Sequence, residues 1–240
     1  MSEPSTLPSE PLPTVILGCK VFQHWLEQLI PPGSGLAGKV TYFDYGLHSV
    51  PKNLRLAIQQ AVDAIEQPSL VVLAFGLCGN GLNNIQAGKH YLLIPRSDDC
   101  IAIQLGSYQA YRQEIQREPG TYYLSKGWLE AGTNPLQESR NLEAKYGPAK
   151  ASWLMDYQFQ KYKRLIMVAR NPQELQEYRT QAIEVAEYCA RWGMRYEERI
   201  GGDQFLGKLI DIALDLRLLD EEFVLIPPGG LLTQSHFVRF

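Results

Sequence analysis

Several absences bound this chain before any motif does. It has no Cys-x-x-Cys pair, and neither a Gly-x-Gly-x-x-Gly fingerprint nor a Gly-Lys-Ser/Thr phosphate loop. No apolar run approaches the roughly 18 residues that a membrane-spanning helix needs. It also lacks a basic surplus, since 23 Lys and Arg stand against 26 Asp and Glu for a formal net charge of −3. That balance gives no electrostatic footprint for a phosphate backbone or an anionic lipid surface, so no nucleic-acid and no membrane partner is expected. Residues 1–13 carry prolines and glutamates but neither the basic nor the apolar segment of a signal peptide. They read as a disordered tail, and a cytoplasmic location follows as the expectation. Thiols are kept reduced there, so the four cysteines are candidates for metal binding, catalysis or packing ahead of disulfides.

What is present is an ordinary globular composition, 45% hydrophobic and 20% charged over 240 residues. Short apolar runs alternate with amphipathic stretches. Residues 14–17, 40–45, 70–75, 91–94, 121–124, 165–169, 194–199 and 223–226 read as strands. Residues 21–30, 53–65, 101–115, 134–163, 175–192 and 203–216 read as helices. The run 70–75 is apolar without alternation, as a central parallel strand requires. The alternation predicts an α/β fold: parallel sheets with flanking helices, divided into two Rossmann-like lobes at 14–132 and 133–240, with the site at strand carboxyl ends.

Four ligand-type residues follow predicted strands. Cys19 ends the first, His48 follows the second, Cys78 follows 70–75, and Cys100 follows 91–94 by a short loop. The recurrence of strand, short turn and cysteine carries the signal. Three thiolates with a histidine suit a Cys3His zinc site or an iron–sulfur cluster. Free cysteines are also small hydrophobes that pack near strand ends, which is the competing reading. Cys189 sits at helical spacing among apolar residues and reads as core.

Other candidates surround that rim. Gly79, Asn80 and Gly81 in Gly76-Leu77-Cys78-Gly79-Asn80-Gly81 offer backbone N–H groups to a substrate, or serve a tight turn. Arg96 is a candidate clamp for an anionic substrate, or a surface ion pair. Asp98 and Asp99 are candidates for proton transfer, with one as a helix cap. His48 is a ligand or a general acid. Tyr122, Tyr123, Lys126 and Trp128 line a pocket or pack.

The segments Leu17-Gly18-Cys19, Asp44 to His48, Gly76 to Gly81, Pro95 to Ile101, Gly106-Ser107 and Gly120 to Trp128 together resemble the family called domain of unknown function 1638. The family name implies no activity; its pattern highlights Cys19, His48, Cys78 and Cys100. The wide cysteine spacing is also similar to that of quinolinate synthase and the isoprenoid reductase of the non-mevalonate pathway, as architectural analogy only. The first expectation is therefore an enzyme with a cysteine-ligated iron–sulfur cluster, its open iron meeting a small polar or anionic substrate. A zinc-thiolate enzyme of methyl or thiol transfer is the second. A non-catalytic cluster carrier or sensor is the third, and a saturated structural zinc site the fourth. A homo-oligomer is compatible with each.

Overall fold

The computed structural model describes residues 7–8 and 10–238, with the side chains of all of these except Ala37, His48 and Ser49. In chain order the strands are β1 (Thr14–Cys19), β2 (Val40–Phe43), β3 (Leu70–Ala74), β4 (Ile85–Gln86), β5 (Tyr91–Pro95), β6 (Thr121–Ser125), β7 (Arg164–Ala169), β8 (Arg195–Ile200), β9 (Phe223–Ile226) and β10 (Leu231–Leu232). The α-helices are α1 (Gln23–Leu29), α2 (Pro51–Asp63), α3 (Cys100–Gln104), α4 (Tyr108–Arg117), α5 (Lys126–Glu130), α6 (Pro135–Tyr146), α7 (Pro148–Phe159), α8 (Pro172–Cys189) and α9 (Gln204–Leu214). The fold is α/β. Most of the expected tail lies outside the described residues, but Pro13 is already tied to the sheet by the Leu70 N–H at 2.8 Å.

The chain forms two compact units, 1–103 with 203–240, and 104–202. The expected division at 132/133 is therefore replaced by a discontinuous first unit. Its cause is β9, which returns to pair with β5. Local pattern cannot announce such a return.

The first unit is built on a sheet in the order β2-β1-β3-β5-β9. The first four strands are parallel and β9 is antiparallel, a departure from the all-parallel expectation. All five residues of β3 are buried, which is why that run shows no alternation. Leu17, Val71, Leu73, Leu92 and Ile94 pack with Leu54, Ile58 and Val62 of α2. The alternate residues Ile16, Val72 and Leu93 face the other way, the side on which α9 packs against β3, β5 and α1. Each such aliphatic side chain contributes about 1.5–3 kcal/mol by leaving water. From β1 the chain goes outward to β2, then crosses back to β3 on the other flank. The strand order therefore reverses between β1 and β3.

The second unit carries the parallel sheet β6-β7-β8, with β7 central and wholly buried. Met155 and Phe159 of α7 and Leu175, Ala182, Val185 and Cys189 of α8 fill its core, so Cys189 is a packing residue as expected. Two expected helices are each broken in two. Ser107 starts α4 by accepting the Ala110 N–H at 3.1 Å, after Gly106 at φ 83. Gly147 at φ 80 and Pro148 separate α6 from α7.

Candidate functional site

The carboxyl ends of β1 and β3 flank the point where the strand order reverses. In open parallel sheets the crevice for ligands lies there, outside the strand ends. Cys19 is the last residue of β1, and Cys78 stands in the loop after β3. Cys100 opens α3 after the loop that follows β5. All three are free thiols that keep partial exposure. Cys100 and Cys78 are side-chain hydrogen-bond partners, and Cys19 lies within electrostatic reach of both. Cys78 and Cys100 thus meet, and Cys19 stands near them, whereas the side chain of His48 lies outside the described residues.

Two loops make this possible. The Leu77 N–H donates to the Ser97 carbonyl at 2.9 Å, and the Cys78 N–H to that of Asp98 at 3.0 Å. The loops touch most closely at Gly76, where a Cβ would stand 2.3 Å from the Asp99 carbonyl carbon. Only glycine fits at that distance. Beyond it the backbone turns through three successive left-handed residues, Cys78 (φ 47), Gly79 (φ 62) and Asn80 (φ 70). A non-glycine residue held there costs about 1–2 kcal/mol, so the surrounding packing must impose it on Cys78.

The electrostatics of the thiols follow from crowding and burial. Burial pushes the Cys19 thiol up to about 12; the Val21 N–H opposes this, and the charges of Cys78 and Asp44 add to it. Cys100 is held well above the ordinary thiol value, first by its hydrogen bond with Cys78, then by burial, then by the charges of Cys78, Asp99 and Cys19. The charge of Cys78 therefore disfavours the thiolates of both Cys19 and Cys100. A cation placed among them reverses that sign, because a coordinating thiol gives up its proton. Among the described residues, no group of three or more His, Cys, Asp and Glu side chains is already arranged to hold a metal ion.

The remaining candidates separate clearly. His48 stands in the 3-10 turn Tyr45–Ser49 after β2, next to β1 in the sheet, and its side chain lies outside the described residues. Asp99 caps α3, accepting from the N–H groups of Ile101 at 2.8 Å and Ala102 at 3.4 Å. Asp98 is exposed at the rim. Arg96 donates to the carbonyls of Glu221 (3.4 Å) and Val238, which ties the chain end to the loop that leads to Cys100. Gly79 and Asn80 are exposed, whereas Gly81 is buried and a Cβ on it would meet Leu54 at 2.5 Å. Tyr122, Tyr123, Lys126 and Trp128 belong to the second unit. There Tyr122 packs edge-on against Phe159, and Lys126 sits 5.1 Å over the Tyr178 ring.

Other supports of the rim escaped the sequence reading. Asp44 accepts from Gly46 N–H at 3.1 Å and from Lys20 Nζ at 3.2 Å, and its charge reaches Cys19. The spacing Asp-x-Gly is an Asx-turn signal that could have found it. Asn83 accepts from the Gln234 N–H at 2.9 Å, and the Asn84 N–H donates to Leu232 at 2.7 Å. The C-terminal segment thereby straps the cysteine loop, and no local pattern marks such a contact. A cavity of about 510 Å³ lies elsewhere, among Pro13, Thr14, Leu36, Leu70 and Arg217. It opens at the amino ends of β1 and β3, about 17 Å of strand away from the thiols, so it does not serve them.

A family model described as protein of unknown function, DUF1638, matches residues 42–210. The chain belongs to the DUF1638 family. The DUF1638 match includes the segments of His48, Cys78 and Arg96 to Cys100, whereas Cys19 lies before it. No curated protein and no solved structure matches this DUF1638 chain. Among its described residues no helix is long and apolar enough to cross a membrane.

Proposed function

We propose that Cys19, Cys78 and Cys100 are the thiolate ligands of a metal centre, an iron–sulfur cluster before zinc, that acts on a small polar or anionic substrate. One observation carries this reading: three thiols from three separate strand ends share one neighbourhood at the switch point between β1 and β3. Cys19 and Cys78 also pack against the apolar core, so it is their place at the crevice where such sheets bind ligands that favours a site. The strained φ of Cys78 supports the same reading, since strain of this kind gathers at sites. Loading requires the thiols to re-aim by side-chain rotation, for which their partial exposure leaves room.

Bound there, a cluster with three protein thiolates supplies an open iron as a Lewis acid or electron donor. The chain's own residues would do the rest. Exposed Gly79 and Asn80 present loop backbone to the substrate beside Cys78. Asp98 at the rim and His48 after β2 would move protons. Asp99 would position Cys100 by fixing the start of α3. Arg96, already bonded to two carbonyls, holds the loop in place of clamping a substrate. In this reading the protein works in the cytoplasm, where thiols stay reduced.

Zinc suits the same donors, and would direct the site to thiol or methyl transfer. The test is metal and acid-labile sulfide content, with an absorption spectrum, on protein purified without oxygen. Iron with sulfide and a broad band near ~400 nm is the expected result. About one zinc per chain without colour moves the site to thiolate activation. Protein free of both metals overturns the reading.

A further inference from the structure

We propose that Cys78 and Cys100 form a reversible disulfide in the metal-free protein, so that the oxidation state of this pair gates the site. The proposal goes beyond the metal reading and does not require it, because it concerns the thiols alone. The two side chains are already in hydrogen-bond contact. Their loops are held face to face by the Leu77–Ser97 and Cys78–Asp98 backbone hydrogen bonds at 2.9 and 3.0 Å. Loops so anchored hold the two thiols side by side, the arrangement that a disulfide needs. Cys78 and Cys100 also keep partial exposure, so an oxidant can reach them. Cys19 is different: it ends a central strand and feels the other two only through charge. Cys189 is fully buried in the second unit and takes no part.

The oxidant is a low-molecular-weight disulfide. Cys78 attacks first, since Gly79 and Asn80 beside it are exposed. Its thiolate attacks one sulfur of the small disulfide, breaks that S–S bond and releases one small thiolate. The Cys100 thiolate then attacks the Cys78 sulfur of the mixed disulfide and releases the second. The protein pair loses two electrons, the small disulfide gains them, and the two thiol protons end on the released thiols. The partial exposure of both cysteines puts the bridge among the more easily reduced disulfides, as a reversible switch requires. The bridge removes two of three thiolate ligands, so metal and disulfide exclude one another.

The test treats the reduced full-length chain with a chelator, then titrates it with oxidised glutathione. Free thiols are counted under denaturing conditions and peptides are mapped without reduction. From four thiols, the count should fall to two, with the Cys78 and Cys100 peptides joined. The Cys19→Ser variant should still form the bridge, and Cys78→Ser and Cys100→Ser should not. Retention of all four thiols, a stable glutathione adduct without a bridge, or a bridge that includes Cys19 would each overturn the proposal. Metal content measured before chelation keeps the two readings apart. Absent metal with an intact bridge defeats only the metal reading, and bound metal without a bridge defeats only this one.

Discussion

Gly76 lies against the backbone of Asp99 so closely that a Cβ on it would stand 2.3 Å from the Asp99 carbonyl carbon. This contact sets the spacing of the loops that bring Cys78 to Cys100. Backbone cannot swing aside as a side-chain end can. Gly76→Ala should therefore lower stability by about 2 kcal/mol, in the range of overpacked cores. It should also break the thiol contact. Gly38→Ala, with nothing within 4 Å of its Cβ, is the control and should be near neutral. Denaturant midpoints of the two variants check this.

Asp99 caps α3 through the Ile101 and Ala102 N–H groups. Asp99→Asn keeps an acceptor there, and Asp99→Ala does not. The alanine variant should lose about 1 kcal/mol and the asparagine variant a few tenths. A role in proton transfer would instead make the two variants equally inactive. Thermal melts beside metal content separate the roles.

In the second unit, Arg164 is 1% exposed and pairs with Glu114 at 2.6 Å and Glu197 at 3.3 Å, while Arg199 bridges the same two acids. Burial alone would raise the Glu114 carboxyl, but Arg199 and Arg164 outweigh it and hold it below the ordinary range. An acid depressed on folding contributes stability that is present above the unfolded value, near ~4.3 for Glu. That stability is lost as pH falls through the folded value. Glu114→Gln should cost about 1.5–3 kcal/mol near neutral pH, because Glu197 and Thr121 still hold Arg164. It should also flatten acid unfolding of this unit. Urea midpoints from pH 7 down to 3 read both effects.

Burial pushes the Cys19 thiol up to about 12. Alkylation needs the thiolate, so in reduced, chelator-treated protein its rate should rise about tenfold per pH unit from 8 to 10. Cys189, at 0% exposure, should stay unlabelled until the chain unfolds. Mass spectrometry of timed labelling reports each cysteine separately.

The strands around the candidate site were legible because they are short and apolar; β1 ends at Cys19, and Cys78 and Cys100 follow β3 and β5 within five residues. Leu70 to Ala74 shows its burial directly, and the fall of Cys19, Cys78 and Cys100 at or after strand ends is what made them candidates for one site. The rest depends on contacts between distant residues. Antiparallel pairing of Phe223–Ile226 with β5 moved the C-terminal segment into the first unit. The sequence expected one of Asp98 and Asp99 to cap a helix without saying which, and the bonds of Asp99 to Ile101 and Ala102 show that it is Asp99. Arg96 read as a substrate clamp or a surface ion pair, and its bonds to Glu221 and Val238, more than a hundred positions away, had no local signal. Gly106-Ser107 and Gly147-Pro148 break helices whose apolar spacing continues across them, and there the local stop signal outweighed periodicity.

The most direct test of the central claim compares metal and sulfide content of Cys78→Ser and Cys189→Ser, both purified without oxygen beside the parent chain. The account predicts that Cys78→Ser loses bound metal while Cys189→Ser retains the parent's full content. Equal metal in the two variants, or none in the parent, would contradict it.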